Sequence, residues 1–187
     1  IKKYFNFTKE YKKAIEKALK ASTNTNPGNS GNPKNWEEFR KEMADNVAKL
    51  YRDYVDENLG AVNGQQCMIN CRTQEEARIQ AKAINTLFGK EVAGWWTTDS
   101  EDKTVLDKFG KKELNVICQV GKLTEGFDDP EIAVCINYPT ASQVLEEQRS
   151  GRPLHKVQNT KKEALVIDLC FRHPDYDNEV DAIRQNN

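Results

Sequence analysis

Apolar residues recur at helical spacing through the first third of the chain, then give way to short continuous apolar runs. Over residues 1–20, Phe7, Tyr11, Ile15 and Leu19 repeat every four positions with Lys and Glu between them, which predicts a helix. Residues 21–34 (ASTNTNPGNSGNPK) are polar and rich in Asn, Gly, Ser and Pro, the composition of a loop. Trp36, Phe39, Met43, Val47, Leu50 and Tyr54 form a second apolar stripe, predicting a helix over 35–59 closed by Gly60. Together these two elements read as an N-terminal helical hairpin or linker, residues 1–59.

From residue 60 onward the grammar changes. QCMINC (66–71), residues 91–95, NVICQV (115–120), IAVCIN (132–137) and ALVIDLC (164–170) read as buried strands. Helical patterns separate them. Thr73 with Glu76 three residues later forms a capping box before a helix whose inner face is Ala77, Ile84 and Leu87. A short helix is predicted near 103–109. Thr140 and Gln143 form a second capping box, opening a helix that runs to about Gly151. Strands alternating with helices predict an α/β domain over 60–187, with a mostly parallel sheet and helices on both faces. Ligands of such sheets gather at the carboxyl ends of the strands.

Composition narrows the classes. The chain has 187 residues and a formal net charge of -1, so phosphate contacts must come from a local surface or a partner. No apolar run approaches the length of a bilayer span, which excludes a membrane-spanning helix. The chain starts at Ile1 with no signal pattern and reads as a piece of something longer. Four of the five Cys (Cys67, Cys71, Cys118, Cys135) lie inside apolar strand-like runs and Cys170 ends another. Without C-x-x-C spacing, and with only two His, they read as buried, reduced thiols of a cytoplasmic protein, and no metal site is expected.

The usual chemistry of α/β enzymes has no signature here. There is no G-x-x-x-x-G-K-[ST] phosphate loop, no G-x-G-x-x-G after a strand and no G-x-S-x-G elbow. Three segments after strand ends remain. Arg72 and Thr73 stand where a strand becomes a helix, a place suited to an anion, although Thr73 also serves as a plain cap. Residues 121–130 (GKLTEGFDDP) offer Thr124 as a hydroxyl, Gly126 for close backbone approach and Asp128 as an acceptor, or form an ordinary acidic loop. Gln148 and Arg152, four apart in QRSGR, share a helix face from which a guanidinium can grip a phosphate, or mark a solvated helix end at Gly151.

The order and spacing of these segments resemble the C-terminal RecA-like motor domain of superfamily-two helicases and translocases. QCMINCRT is similar to motif IV, VGKLTEGFDDP to motif V and EEQRSGRPLH to motif VI, over roughly residues 60–170. The resemblance implies a RecA-like parallel sheet flanked by helices, preceded by the N-terminal helical extension. It implies the C-terminal half of an ATP-dependent DNA or RNA helicase. Arg152 would be an arginine finger on the γ-phosphate and Gln148 would line the ATP cleft. Gly126, Asp128 and His155 would lie near the nucleotide. Arg72, Thr73, Thr97, Thr98 and Thr124 would meet the nucleic-acid backbone. ATP and Mg²⁺ would be held mainly by an upstream RecA-like domain of the same polypeptide, so the fragment alone would not hydrolyse ATP. One position departs from the family: where motif VI usually carries a second Arg, this chain has His155, followed by Lys156. That substitution leaves open a non-catalytic RecA-like module that binds nucleic acid or protein. A further alternative is the motor part of a restriction or remodelling enzyme.

Overall fold

A computed structural model describes residues 2–22, 33–56, 66–100, 103–121, 132–139 and 165–170. Among these, strands β1 (Lys2–Asn6), β2 (Gln66–Asn70), β3 (Ala93–Trp96), β4 (Val116–Gln119), β5 (Ile132–Asn137) and β6 (Leu165–Cys170) form one sheet. Their order is β1-β6-β5-β2-β4-β3, and every neighbouring pair is parallel. Four helices are α1 (Thr8–Ser22), α2 (Pro33–Leu50), α3 (Gln74–Phe88) and α4 (Thr104–Gly110). A π-helical turn, Tyr51–Asp56, continues α2. This is the α/β, RecA-like parallel sheet with flanking helices that the sequence predicts.

The continuous apolar runs of β2, β4 and β5 follow from burial on both sheet faces, where alternation has no use. On one face Cys67, Ile69, Val116, Cys118, Val134, Ile136 and Ile167 join residues of α1, α2 and α3 in a large core. On the other, Met68, Trp96, Ile117, Ile132 and Cys135 enclose Phe109 of α4 and Leu114. Each such fully buried aliphatic or aromatic side chain contributes about 1.5–3 kcal/mol.

The helix expected over residues 1–20 is corrected at its start. Lys2–Asn6 is an edge strand in register with β6, from Lys2 opposite Val166 to Asn6 opposite Cys170. Helix begins only at Thr8, where the Phe7 carbonyl accepts from the Tyr11 N–H at 2.8 Å. Tyr4, Phe5 and Phe7 suit a strand as well as a helix, and pairing with β6 supplies backbone bonds that a frayed first turn lacks. Phe7, Tyr11 and Ala14 are buried, and Tyr11 meets Phe39 of α2 edge to face at 5.2 Å. Phe5 meets Tyr54 in the same way at 4.8 Å. The second stripe places Phe39, Met43, Val47 and Leu50 in the core, with Tyr51 and Val55 of the π-helical turn beside them. Gly60, Thr140, Gln143 and Gly151 lie outside the described residues.

Edge strand β3 is held tightly at its amino end. The Asn85 amide accepts from the Val92 and Ala93 N–H groups, 2.8 Å each, and donates to the Ala93 carbonyl at 2.9 Å. Gly94 then packs where a Cβ would stand 2.7 Å from Val105 Cγ1 and 3.0 Å from Leu114 Cδ1. Val105 is β-branched and has little freedom to yield. Gly94→Ala is therefore expected to destabilise the chain by about 1–3 kcal/mol through overpacking, read as a lowered urea midpoint.

Cys67, Cys71, Cys118 and Cys135 are buried thiols outside any disulfide. Burial pushes the Cys67 and Cys118 thiols well above their ordinary value, with a smaller push from neighbouring cysteines. Their folded pKa is raised, so the stability they confer is complete below the unfolded thiol value and is lost as pH rises through the folded one. The urea midpoint is expected to fall above about pH 8.5. The four thiols should stay silent to a thiol reagent until the chain unfolds.

Candidate nucleic-acid and nucleotide interface at the carboxyl edge

Because every strand runs the same way, the segments after β2, β3 and β4 all leave from one edge of the sheet. Arg72 and Thr73 follow β2, Thr97 and Thr98 follow β3, and Gly121 follows β4 between them with φ at +68°, a left-handed turn that favours glycine.

Thr73 caps α3 as its sequence predicts. Its backbone is extended, and Oγ1 accepts from the Glu76 N–H at 3.2 Å. The return half of the capping box is displaced by one residue. The Glu76 carboxylate, 6% exposed, accepts from the Arg72 backbone N–H at 2.9 Å and from Arg72 Nε at 3.0 Å, and its Oε1 also meets Nη2. A guanidinium outcompetes a neutral N–H for a buried carboxylate. The Arg72 guanidinium also lies over the Tyr138 ring, 5.5 Å from its centroid. Burial disfavours the charge of Arg72, yet Glu76 more than offsets it and raises the arginine above its ordinary pKa. Tyr138 is pushed well above the usual phenol range, chiefly by burial. Its backbone N–H donates to the Asn70 carbonyl at 3.0 Å and its hydroxyl donates to Gln80 Oε1 at 2.8 Å. Gln80 Nε2 donates in turn to the Ala44 carbonyl at 3.1 Å, tying this edge through α3 to α2.

The loop after β3 is laced to the same helix start. The Gln74 carbonyl oxygen accepts from Thr98 Oγ1 at 2.5 Å, and its amide nitrogen donates to both Asp99 carboxylate oxygens at 3.1 Å. Arg78 pairs with Asp99 as well. Thr97 is fully buried; its hydroxyl donates to Asp99 and its N–H to Ser100 Oγ at 3.0 Å. The Thr97 hydroxyl and the Arg78 guanidinium both hold the Asp99 carboxyl below its ordinary value, the hydroxyl more strongly.

The structure thus brings Arg72, Thr73 and Thr98 to one edge, with Thr98 exposed, and turns Thr97 inward. Arg72 is committed to Glu76 and Tyr138. Thr124, Gly126, Asp128, Gln148, Arg152 and His155 lie outside the described residues. Sequence reasoning missed Glu76 as the partner of Arg72, and it missed Tyr138. It also passed over a row of buried polar side chains at this edge, Asn70, Gln119, Asn137 and Asp168. Their signal was available: β2, β4, β5 and β6 each carry such a residue at or near the carboxyl end. No cluster of three or more His, Cys, Asp or Glu suited to a metal occurs among the described residues. No helix among them is long and apolar enough to cross a membrane.

Solved structures share this fold. The C-terminal domain of the DEAD-box protein Dbp5 superposes with a TM-score of 0.54 at 17% identity, covering 78% of this chain and 78% of that one. S. cerevisiae Dbp5 bound to RNA and ADP BeF3 gives 0.57 at 16% identity, over 79% of this chain and 35% of that one. The Pyrococcus furiosus Hef helicase domain gives 0.52 at 20% identity, over 94% and 36%. The chain has the fold of the C-terminal RecA-like domain of superfamily-two helicases. No family model matches the sequence. A curated relative, a 51.5 kDa protein of Lactococcus phage (isolate 7-9), is 31% identical over 139 residues, 72% of this chain. The RecA-like chain spans 30% of the length of that relative.

Proposed function

We propose that this chain is the C-terminal motor half of an ATP-dependent DNA or RNA helicase or translocase of the cytoplasm. The reading is carried by a RecA-like sheet whose carboxyl edge bears the segment that resembles motif IV, with the resemblances to motifs V and VI following in the sequence at family spacing. The likeness in fold to a Dbp5 structure bound to RNA and ADP BeF3 supports it.

In this reading an upstream RecA-like domain holds ATP and Mg²⁺. Water attacks the γ-phosphorus, the bond to the β–γ bridging oxygen breaks, and ADP and phosphate leave. Arg152 supplies positive charge to the γ-phosphoryl oxygens as they separate, and Gln148 closes the cleft. Gly126, Asp128 and His155 line the nucleotide side. Thr73, Thr98 and Thr124 meet phosphate and sugar of the tracked strand, with Arg72 oriented beside them by Glu76. Thr97 shapes the loop from within. Contacts of this kind carry little sequence preference. Opening and closing of the cleft with each hydrolysis moves the strand contacts along the backbone.

The 187-residue chain has no phosphate loop. Supplied with ATP, Mg²⁺ and single-stranded DNA or RNA, the purified chain is expected to show no turnover above background. Nucleic-acid-stimulated turnover by this chain alone would contradict the division of labour. His155 favours one second reading, a RecA-like module that binds without hydrolysis, because a neutral imidazole cannot fork onto a phosphate. A longer protein that binds nucleic acid and never turns over ATP would bear that reading out.

A further inference from the structure

Four buried polar side chains cross the sheet in one row. Register places Gln119 of β4 beside Asn70 of β2, Asn70 beside Asn137 of β5, and Asn137 beside Asp168 of β6. Each is at most 5% exposed. Gln119 Nε2 donates to Asn70 Oδ1, Asn70 Nδ2 donates to Asn137 Oδ1 at 2.7 Å, and Asn137 Nδ2 donates to Asp168 Oδ1 at 2.8 Å. All three bonds run the same way, towards the carboxylate.

That common direction has a cause. A carboxylate accepts and does not donate, so Asn137 must turn its NH₂ towards Asp168. Its oxygen then faces Asn70, whose NH₂ must turn to meet it, and the same constraint passes to Gln119. Turning one amide over would set donor against donor in a buried site, at the cost of an unsatisfied group. We propose that Asp168 is a positioning residue that fixes the orientation of all three amides, so that the row acts as one unit over about 14 Å of sheet. The chain leaves this row at Arg72 and Thr73, at Val120 and Gly121, and at Tyr138. The unit therefore sets the ends of three strands relative to one another. Only its consequence for a motor rests on the function proposed above; the ladder itself does not.

The test is side-chain amide NMR on the 187-residue chain. Asp168→Asn keeps an acceptor for Asn137 but no longer dictates a direction, because an amide presents either group. The side-chain NH₂ signals of Asn137, Asn70 and Gln119 are all expected to shift, with the hydrogen exchange of the Gln119 pair faster by about tenfold. Gln119→Leu, at the other end, leaves Asp168 to set the direction, so the Asn70 pair is expected to shift while the Asn137 pair keeps its position. Backbone spectra report whether each variant is folded, and either folded variant suffices. If Asp168→Asn moves only Asn137, or Gln119→Leu displaces the Asn137 pair as far as Asp168→Asn does, the carboxylate does not fix the direction and the proposal is overturned.

Discussion

If the proposed motor reading holds, replacing Arg152 with alanine in a protein that also carries the upstream domain is expected to lower ATP turnover by about 10³–10⁵-fold while nucleotide binding stays nearly intact. The transferring phosphoryl group spreads charge over its oxygens, and a guanidinium brought in from the facing domain neutralises that charge only when the cleft is closed. In the proposed motor, ground-state binding would depend instead on the cradle and Mg²⁺ of an upstream domain, which Arg152 would not build. Turnover is read by steady-state phosphate release, and binding by a fluorescent ATP analogue. With His155 at the place where the family usually carries a second Arg, the loss should be severe, since Arg149 is then the one guanidinium left in the motif. Near-normal turnover in the variant would remove Arg152 from the chemistry.

Glu76→Ala is expected to destabilise the fold by about 3 kcal/mol, at the low end for breaking a buried ion pair because Arg72 keeps some contact with solvent. Three losses combine. The Arg72 guanidinium stays against Tyr138 without its carboxylate, the Arg72 backbone N–H loses its acceptor, and the first turn of α3 loses a negative charge. Glu76→Gln keeps an acceptor for the N–H and should cost about half as much. Urea unfolding of the two variants checks both values. A Glu76→Ala midpoint equal to the parent would mean that Arg72 is held by other contacts.

The strands were legible where local physics decides them. IAVCIN gives β5 at its full length, and QCMIN and LVIDLC sit within one residue of their predicted runs, because strands buried on both faces have no alternative to continuous apolar sequence. Thr73 was legible as a cap for the same reason: the bond it makes is three residues away. Lys2–Asn6 was not, since its partner, β6, lies more than 150 residues along the chain and nothing local distinguishes its aromatic residues from a helix face. The Arg72–Glu76 pair was misread in part. Both residues were in view, but the capping-box rule assigns the carboxylate to the neighbouring N–H and does not weigh a competing guanidinium. Thr97 was legible as following a strand, but not that its hydroxyl turns inward to Asp99, a bond set by the shape of the loop after β3. The polar row had a sequence pattern, an amide or acid at or near the carboxyl end of β2, β4, β5 and β6. Only the register could show that the four residues meet.

Steady-state ATP hydrolysis by the longer protein, measured with and without single-stranded DNA or RNA, tests the motor reading most directly. Turnover that rises when one of these nucleic acids is added, and that vanishes with Arg152→Ala, is the predicted result. Turnover at background with every nucleic acid tried, from protein shown to bind ATP, would contradict it.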